Sequence, residues 1–174
     1  MLRTIMIFPQ FDNMEIIDEI RDRYDPLAKL VRPHITLVFP FESEMTNDEV
    51  EEKLNCSLKN FGPFELVMHG FSKTENNYLF LDVEKGTDMI EAIHDDLYSN
   101  HFQEFFPGFK EYYLGVPYTP HMTVGKLNSK DELNDAYEYV RNIDVRFQTI
   151  VKKVSVEMIG EHEESIIVIE KMLG

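Results

Sequence analysis

The 174-residue chain has one cysteine and no tryptophan. Cys56 therefore has no partner for an internal disulfide, and one thiol without close companions cannot build a zinc knot. Glycine and proline number only eight each, far too few for a low-complexity linker protein. No apolar run approaches the roughly 18 residues that a membrane span needs. The apolar stretch at the N-terminus is too short for a signal sequence and lacks a small-residue cleavage site, so a cytoplasmic address is expected. Basic residues are scarce as well: 17 Lys and Arg stand against 32 Asp and Glu, a formal charge of −15. Such a charge opposes non-specific attachment to duplex DNA or to an anionic membrane. A small nucleotide or a short single-stranded RNA end remains compatible, since it needs only a local pocket of donors.

What is present is an ordinary globular composition, with 43% hydrophobic and 28% charged residues. The length suits one domain, or two small lobes sharing an interface, and charge and length together suggest a monomer. Apolar alternation predicts strands over 2–8, 34–39, 64–72, 77–84, 121–127, 149–159 and 164–171. Helical spacing of apolar residues predicts helices over 13–24, 47–59, 88–101 and 130–141. Asn13 and Thr87 are candidate N-caps, and Thr46–Glu49 and Ser129–Glu132 both have capping-box form. The 102–120 segment is rich in Phe, Tyr, Pro and Gly, and reads as a packed loop rather than a tether. Its aromatics, Phe102, Phe105, Phe106, Phe109, Tyr112, Tyr113 and Tyr118, are read first as packing, with a lid over a ligand as the sharper alternative.

A repeat runs through this order. Pro33-His34-Ile35-Thr36-Leu37 is matched 87 residues later by Pro120-His121-Met122-Thr123-Val124. Each copy leads into a capped helix and then strands, and the offset persists between 76–85 and 163–172. The expected fold is α+β: a bilobal, pseudo-twofold duplication of a β-α-β-β unit (about 31–85 and 118–172) within a single domain over residues 1–174. Two antiparallel-rich sheets would line a central cleft, with helices outside.

In a strand, residues i and i+2 share a face. His34 and Thr36 therefore look one way while Ile35, Leu37 and Phe39 look the other. His121 and Thr123 likewise share a face, opposite Met122 and Val124. If a twofold relates the halves, the two polar faces line one cleft with a pair of histidines and a pair of threonines. Opening a phosphodiester needs one group to take a proton from the attacking oxygen and another to give one to the leaving oxygen. Imidazole, with an ordinary pKa of roughly 6.5, can do either near neutrality. Threonine hydroxyls can hold the non-bridging oxygens.

These two segments resemble the H-x-T/S-x signatures of the two-histidine (2H) phosphoesterase superfamily, which contains 2′-5′ RNA ligase-like proteins and cyclic nucleotide phosphodiesterases. The stretch Tyr118-Thr-Pro-His121-Met-Thr-Val-Gly125 is close to the second motif of its bacterial members. The resemblance implies a bilobal fold, metal-independent chemistry without cofactors, and 2′,3′-cyclic phosphates or 2′-5′ linked nucleotides as substrates. It also implies that His34 and His121 are the catalytic acid and base, while Thr36 and Thr123 bind the phosphate. The alternative is a non-catalytic protein that binds a nucleotide or RNA end in the same cleft.

Other residues are weighed beside these. Arg32 shares the parity of His34 and is a candidate substrate-binding cation, with a solvated strand-end arginine as the plain alternative. Gly125 has the parity of His121 and would let a ligand approach, whereas Lys126 has the wrong parity in a regular strand. His69, His94, His101 and His162 lack an H-x-T context and do not form a metal-ligand spacing. Cys56 has no adjacent base and reads as a small packed or half-exposed thiol.

Overall fold

The chain's apolar alternation and helical spacing resolve into eight strands and four α-helices in the computed structural model, which describes residues 1–106 and 118–174. In chain order these are β1 (Leu2–Ile7), α1 (Met14–Tyr24), β2 (Ile35–Glu42), α2 (Asn47–Leu58), β3 (Phe64–Lys73), β4 (Tyr78–Lys85) and α3 (Thr87–Asp96). There follow β5 (His121–Lys126), α4 (Lys130–Val140), β6 (Phe147–Val151), β7 (Lys153–Ile159) and β8 (Ser165–Met172). The expected helix over 88–101 keeps α-helical geometry only to Asp96, then widens into a π-helical turn, Leu97–His101.

Local chemistry sets the helix starts. Thr46 Oγ1 accepts from the Glu49 amide while the Glu49 carboxylate accepts from the Thr46 amide, so both halves of the capping box are made at α2. At α4 only half forms. Ser129 Oγ accepts from Glu132 N at 3.2 Å, but the Glu132 carboxylate takes the Asn128 amide instead. Asn13 stands at the cap position of α1, yet its side chain donates to the Arg146 carbonyl rather than capping. The cap of α3 is Gly86, not Thr87. Gly86 has φ +104°, and a Cβ there would lie 2.8 Å from the Glu65 carbonyl oxygen, so glycine is needed on both counts.

The strands form one antiparallel sheet in the order β6-β3-β4-β5-β2-β1-β7-β8. The two expected sheets therefore meet at the centre, where the pair Ile35↔Met122 joins β2 to β5. The single strand expected over 149–159 divides at Lys152 into β6, outermost beside β3, and β7, beside β1. One residue can link strands so distant in sheet order because the sheet curls and brings its ends together, and there the Lys152 carbonyl accepts from Leu173 N at 2.8 Å. The offset of 87 relates β2 to β5 at the centre and β3 to β7, each third from it. It does not relate the places of β4, second from the centre, and β8, outermost. The place mirroring β4 belongs to β1, since β1 feeds β2 through α1 as β4 feeds β5 through α3.

One face of the sheet and the four described α-helices share a single core. Ile5, Ile35, Leu37, Leu79, Leu81, Met122 and Val124 meet Ile17 and Ile20 of α1, Val50 and Leu54 of α2, Ile90 and Ile93 of α3, and Ala136 of α4, all at 0–1% exposure. Truncating any one large member to alanine costs about 2–5 kcal/mol. The loop aromatics Phe102, Phe105 and Phe106 pack on Phe41 with ring centroids 5.3, 5.1 and 6.3 Å away, as packing predicts. Phe109, Tyr112 and Tyr113 lie outside the described residues.

Candidate active site on the central strands

The central strands are not regular, and their irregularity decides which side chains share the open face. On β2 the register with β1 slips between Met6↔Thr36 and Ile5↔Val38. Leu37 and Val38 consequently both turn into the core, and Phe39 turns out of it to 38% exposure. On β5 the register with β4 slips in the same way, between Phe80↔Thr123 and Leu79↔Gly125. Val124 and Gly125 both face the core. A Cβ on Gly125 would stand 3.0 Å from Tyr24 Cβ and 3.2 Å from Leu79 Cβ.

These two bulges sit 87 residues apart and re-aim the chain beyond them. Lys126, not Gly125, therefore joins the face of His121. Its ammonium donates to the Asn76 carbonyl and lies 4.1 Å over the Tyr78 ring. Regular alternation gave the opposite assignment for both residues. A side chain here would press on α1 and β4, not on a ligand.

On the open face, the antiparallel register around Ile35↔Met122 sets His34 across from Thr123 and His121 across from Thr36. The four side chains form a quadrilateral with the histidines on one diagonal, and diagonal partners of this kind lie roughly 7–8 Å apart at the backbone. Each ring is fixed identically. His34 Nδ1 donates to the Arg32 carbonyl at 2.8 Å, and His121 Nδ1 donates to the Thr119 carbonyl at 2.7 Å. A carbonyl can only accept, so Nδ1 carries the proton in both rings and Nε2 is left to give or receive one.

The rings differ in surroundings. Burial lowers the pKa of His34; the Arg32 carbonyl opposes this, Arg21 and His121 lower it further, and Asp25 raises it. Arg21 and Asp25 are themselves paired at 2.8 Å within α1 and its cap, both nearly buried. Burial also lowers His121, against the Thr119 carbonyl and the Asp82 carboxylate, which raise it. Phe80 stacks on His121 with centroids 3.6 Å apart and planes at 16°. Phe8 meets His34 more loosely, at 6.0 Å and 60°. The Arg32 guanidinium lies 4.5 Å over the Phe8 ring, beside His34 and exposed.

Past their shared pair, β2 and β5 part, and side chains take over the backbone groups of β2. Tyr118 Oη donates to the Thr36 carbonyl at 2.7 Å, His94 Nδ1 donates to the Leu37 carbonyl at 2.7 Å, and the Phe39 amide donates to Tyr98 Oη at 2.9 Å. His94 is buried, stacks on Tyr118 at 3.7 Å and 7°, and has its pKa lowered by that burial. This wedge ties the lead-in of the second motif directly to the strand of the first. His94, on α3, thus has a structural role in closing β2, and Tyr118 is part of the packing rather than a free platform.

Of the candidates read from the sequence, His34, Thr36, His121 and Thr123 share the open face and Arg32 borders it. Tyr78, Phe80, Asp82 and Lys126 also belong to that face, which the sequence pattern alone does not show. Their i, i+2 spacing along 78–82 was visible, but it points to this site only once β4 is known to lie beside β5. Among the described residues, no group of three or more His, Cys, Asp and Glu side chains comes together in a way that could hold a metal ion. Cys56 is exposed on α2, and no described helix is long and apolar enough to cross a membrane.

Residues 8–157, which include both His-x-Thr segments, match the family described as the 2′-5′ RNA ligase superfamily. The chain belongs to that superfamily. Among its relatives is a protein of Geobacillus kaustophilus named "Putative phosphoesterase", 30% identical over 86% of this chain and 83% of the relative. A Bacillus pumilus protein of the same name is 32% identical over 75% of this chain and 73% of its own. Two solved structures share the fold. Escherichia coli LigT complexed with 3′-AMP superposes with a TM-score of 0.64 at 14% identity, covering 98% of this chain and 97% of LigT. TT0787 of Thermus thermophilus has a TM-score of 0.64 at 13% identity, covering 99% and 98%. LigT has also been crystallised with ATP and with NADP+. In this 2H superfamily member, the two motifs occupy the strands that join the halves of the sheet.

Proposed function

We propose that the chain is a metal-independent phosphoesterase that opens a 2′,3′-cyclic phosphate or a 2′-5′ phosphodiester of a nucleotide or short RNA end. The observation that carries this reading is the pair of identically held imidazoles. Each presents Nε2 on one face, and each stands across from the threonine of the other motif. Superfamily membership and the nucleotides bound by LigT support it.

In the hydrolytic direction, one neutral ring removes a proton from water as its oxygen bonds to phosphorus. The bond from phosphorus to one ribose oxygen breaks, and the other, protonated ring delivers its proton to that oxygen. On a 2′-5′ linkage, the neighbouring ribose hydroxyl replaces water as the attacking group. Thr36 and Thr123 donate to the non-bridging oxygens, where charge grows in the transition state. The reaction is housed in one bilobal domain over residues 1–174, with the sheet halves β6-β3-β4-β5 and β2-β1-β7-β8 forming the walls of the cleft. Arg32, exposed beside His34, would meet a further substrate anion.

The test is hydrolysis of the four nucleoside 2′,3′-cyclic phosphates and a 2′-5′ oligoadenylate in excess EDTA, with His34→Ala and His121→Ala as controls of verified folding. Turnover that persists in EDTA and disappears in both variants is expected. Saturable nucleotide binding with no product from any of these substrates would overturn the enzymatic reading in favour of a binding protein.

A further inference from the structure

The two histidines match in sequence and in their hydrogen bonds, but not in what faces them across the neighbouring strand. In sheet position β1 stands to β2 as β4 stands to β5. The register Ile7↔Ile35 sets Phe8, the residue just past β1, beside His34, whereas the partner of His121 on β4 is Asp82. Directly opposed side chains have Cβ atoms roughly 4.5–5.5 Å apart. Asp82 also has the parity of Phe80, whose ring lies on His121, so its carboxyl is on the same face as the imidazole.

The carboxylate does not wander. Ser72 Oγ donates to Asp82 Oδ1 at 2.7 Å from β3, and the group is half-buried, so solvent does not fully damp its field; the same burial raises its pKa, against the Ser72 hydroxyl and His121, which lower it. The site of His34 has the reverse character: a phenyl ring, the Arg32 guanidinium over that ring, and Arg21 of α1 within electrostatic reach, offset by Asp25.

We propose that Asp82 divides the labour between the histidines: it makes His121 the ring that carries and delivers the proton, and leaves His34 as the ring that accepts one. This rests on the two-histidine phosphoesterase reading. Asp82 touches neither substrate nor reacting atoms; it is a positioning residue acting through His121. In the hydrolytic step the water proton goes to His34 Nε2 as the O–P bond forms. The P–O bond to the departing ribose oxygen breaks as His121 Nε2–H passes to that oxygen. The reset returns one proton from His34 to solvent and one from solvent to His121, so the balance closes.

Among the described residues, the charged and titratable groups facing these rings are few. His121 meets Asp82 on β4 and His34 on β2, with Lys126 further along its own strand. His34 meets Arg21 of α1 and Asp25 at its C-cap, Arg32 before β2, and His121 on β5. Burial lowers both rings; among the described residues Asp82 raises His121, whereas at His34 Arg21 adds to the lowering and Asp25 opposes it.

The experiment is an NMR titration of the two imidazole Cε1–H resonances in the full chain, wild type and Asp82→Asn, assigned by His34→Ala and His121→Ala. It is paired with the pH profile of kcat/KM on a 2′,3′-cyclic nucleotide. In the wild type, His121 is expected to have the higher midpoint, a measurement that needs no Asp82 variant. In Asp82→Asn the His121 midpoint should fall by about one pH unit, as for loss of a nearby opposite charge, with His34 unmoved. The alkaline limb of the rate profile, which reports the acid, should move down with it while the acid limb stays. A higher midpoint for His34, equal movement of both rings, or movement of the acid limb alone would overturn the proposal. The ring titrations require no turnover, so failure to find a substrate would count against the phosphoesterase reading without touching this test.

Discussion

Replacing Gly125 by alanine pits two geometries of β5 against each other. In a regular strand Gly125 shares the face of His121, and a methyl there would intrude on the ligand while leaving the fold alone. In the bulged strand the methyl points into α1. Its carbon would lie 3.0 Å from Tyr24 Cβ, 3.2 Å from Leu79 Cβ and 3.4 Å from Leu127 Cδ2. Two of these three are Cβ atoms fixed to backbone, so relief requires α1 and β4 to shift by tenths of an ångström rather than a side chain to rotate. Overpacking of this kind costs about 1–3 kcal/mol. For a chain of this length each kcal/mol lowers Tm by about 2–4 °C, so a fall of about 4–8 °C is expected for a mid-range cost. Thermal melting by circular dichroism reads the fall, and steady-state kinetics on a cyclic nucleotide should give a nearly unchanged KM. An unchanged Tm with a several-fold higher KM would refute the bulge argument and return Gly125 to the ligand side.

Three further outcomes follow from the same packing. Glu157 is 4% exposed, and burial raises its pKa against the Ser165 hydroxyl, which lowers it. A raised acid is penalised as pH climbs from the ordinary 4.5 through the folded value, so Glu157→Gln should melt above wild type at pH 7 and level with it at pH 4. Thr36→Val and Thr123→Val remove the hydroxyls proposed to hold the phosphate with little change of shape, and each should lower kcat by about 10²–10³-fold with Tm held; a change confined to KM would make them mere binding groups. Thr46→Ala breaks the capping box at the exposed start of α2 and should cost about 1 kcal/mol in denaturant titrations, with kcat/KM unaffected.

The parts of the site that could be read from the sequence are those whose signals are local. His34 with Thr36, and His121 with Thr123, are i, i+2 pairs in strands, and their common face follows from the pleat alone. The complete capping box at Thr46 is local as well. Thr87 failed as a cap because the preceding residue is a glycine pressed against the Glu65 carbonyl, a neighbour 21 positions away in the chain. Lys126 falls on the wrong face under regular alternation because the bulges are weakly marked: Leu37-Val38 reads as ordinary strand, and Gly125 is the single residue of a kind that marks a bulge within a strand. Asp82 and Phe80 were hidden for a third reason, since nothing within 77–84 states that this strand lies beside the second motif.

The register at the centre of the sheet shows how narrowly the local motifs specify the site. His-x-Thr repeated on two antiparallel strands yields a crossed quadrilateral only when the residues between them, Ile35 and Met122, are the pair that meets. A slip of one residue would set imidazoles and hydroxyls across from apolar side chains and turn one motif into the core. Both central residues are completely buried on the helix side, so any slip would expose one of them and bury a histidine or a threonine. The hydrophobic core therefore enforces the alignment of the polar face. The symmetry it imposes on the rings also means that any difference in their roles must come from outside the motifs, and the cross-strand residues, phenylalanine on one side and aspartate on the other, are where the two halves differ.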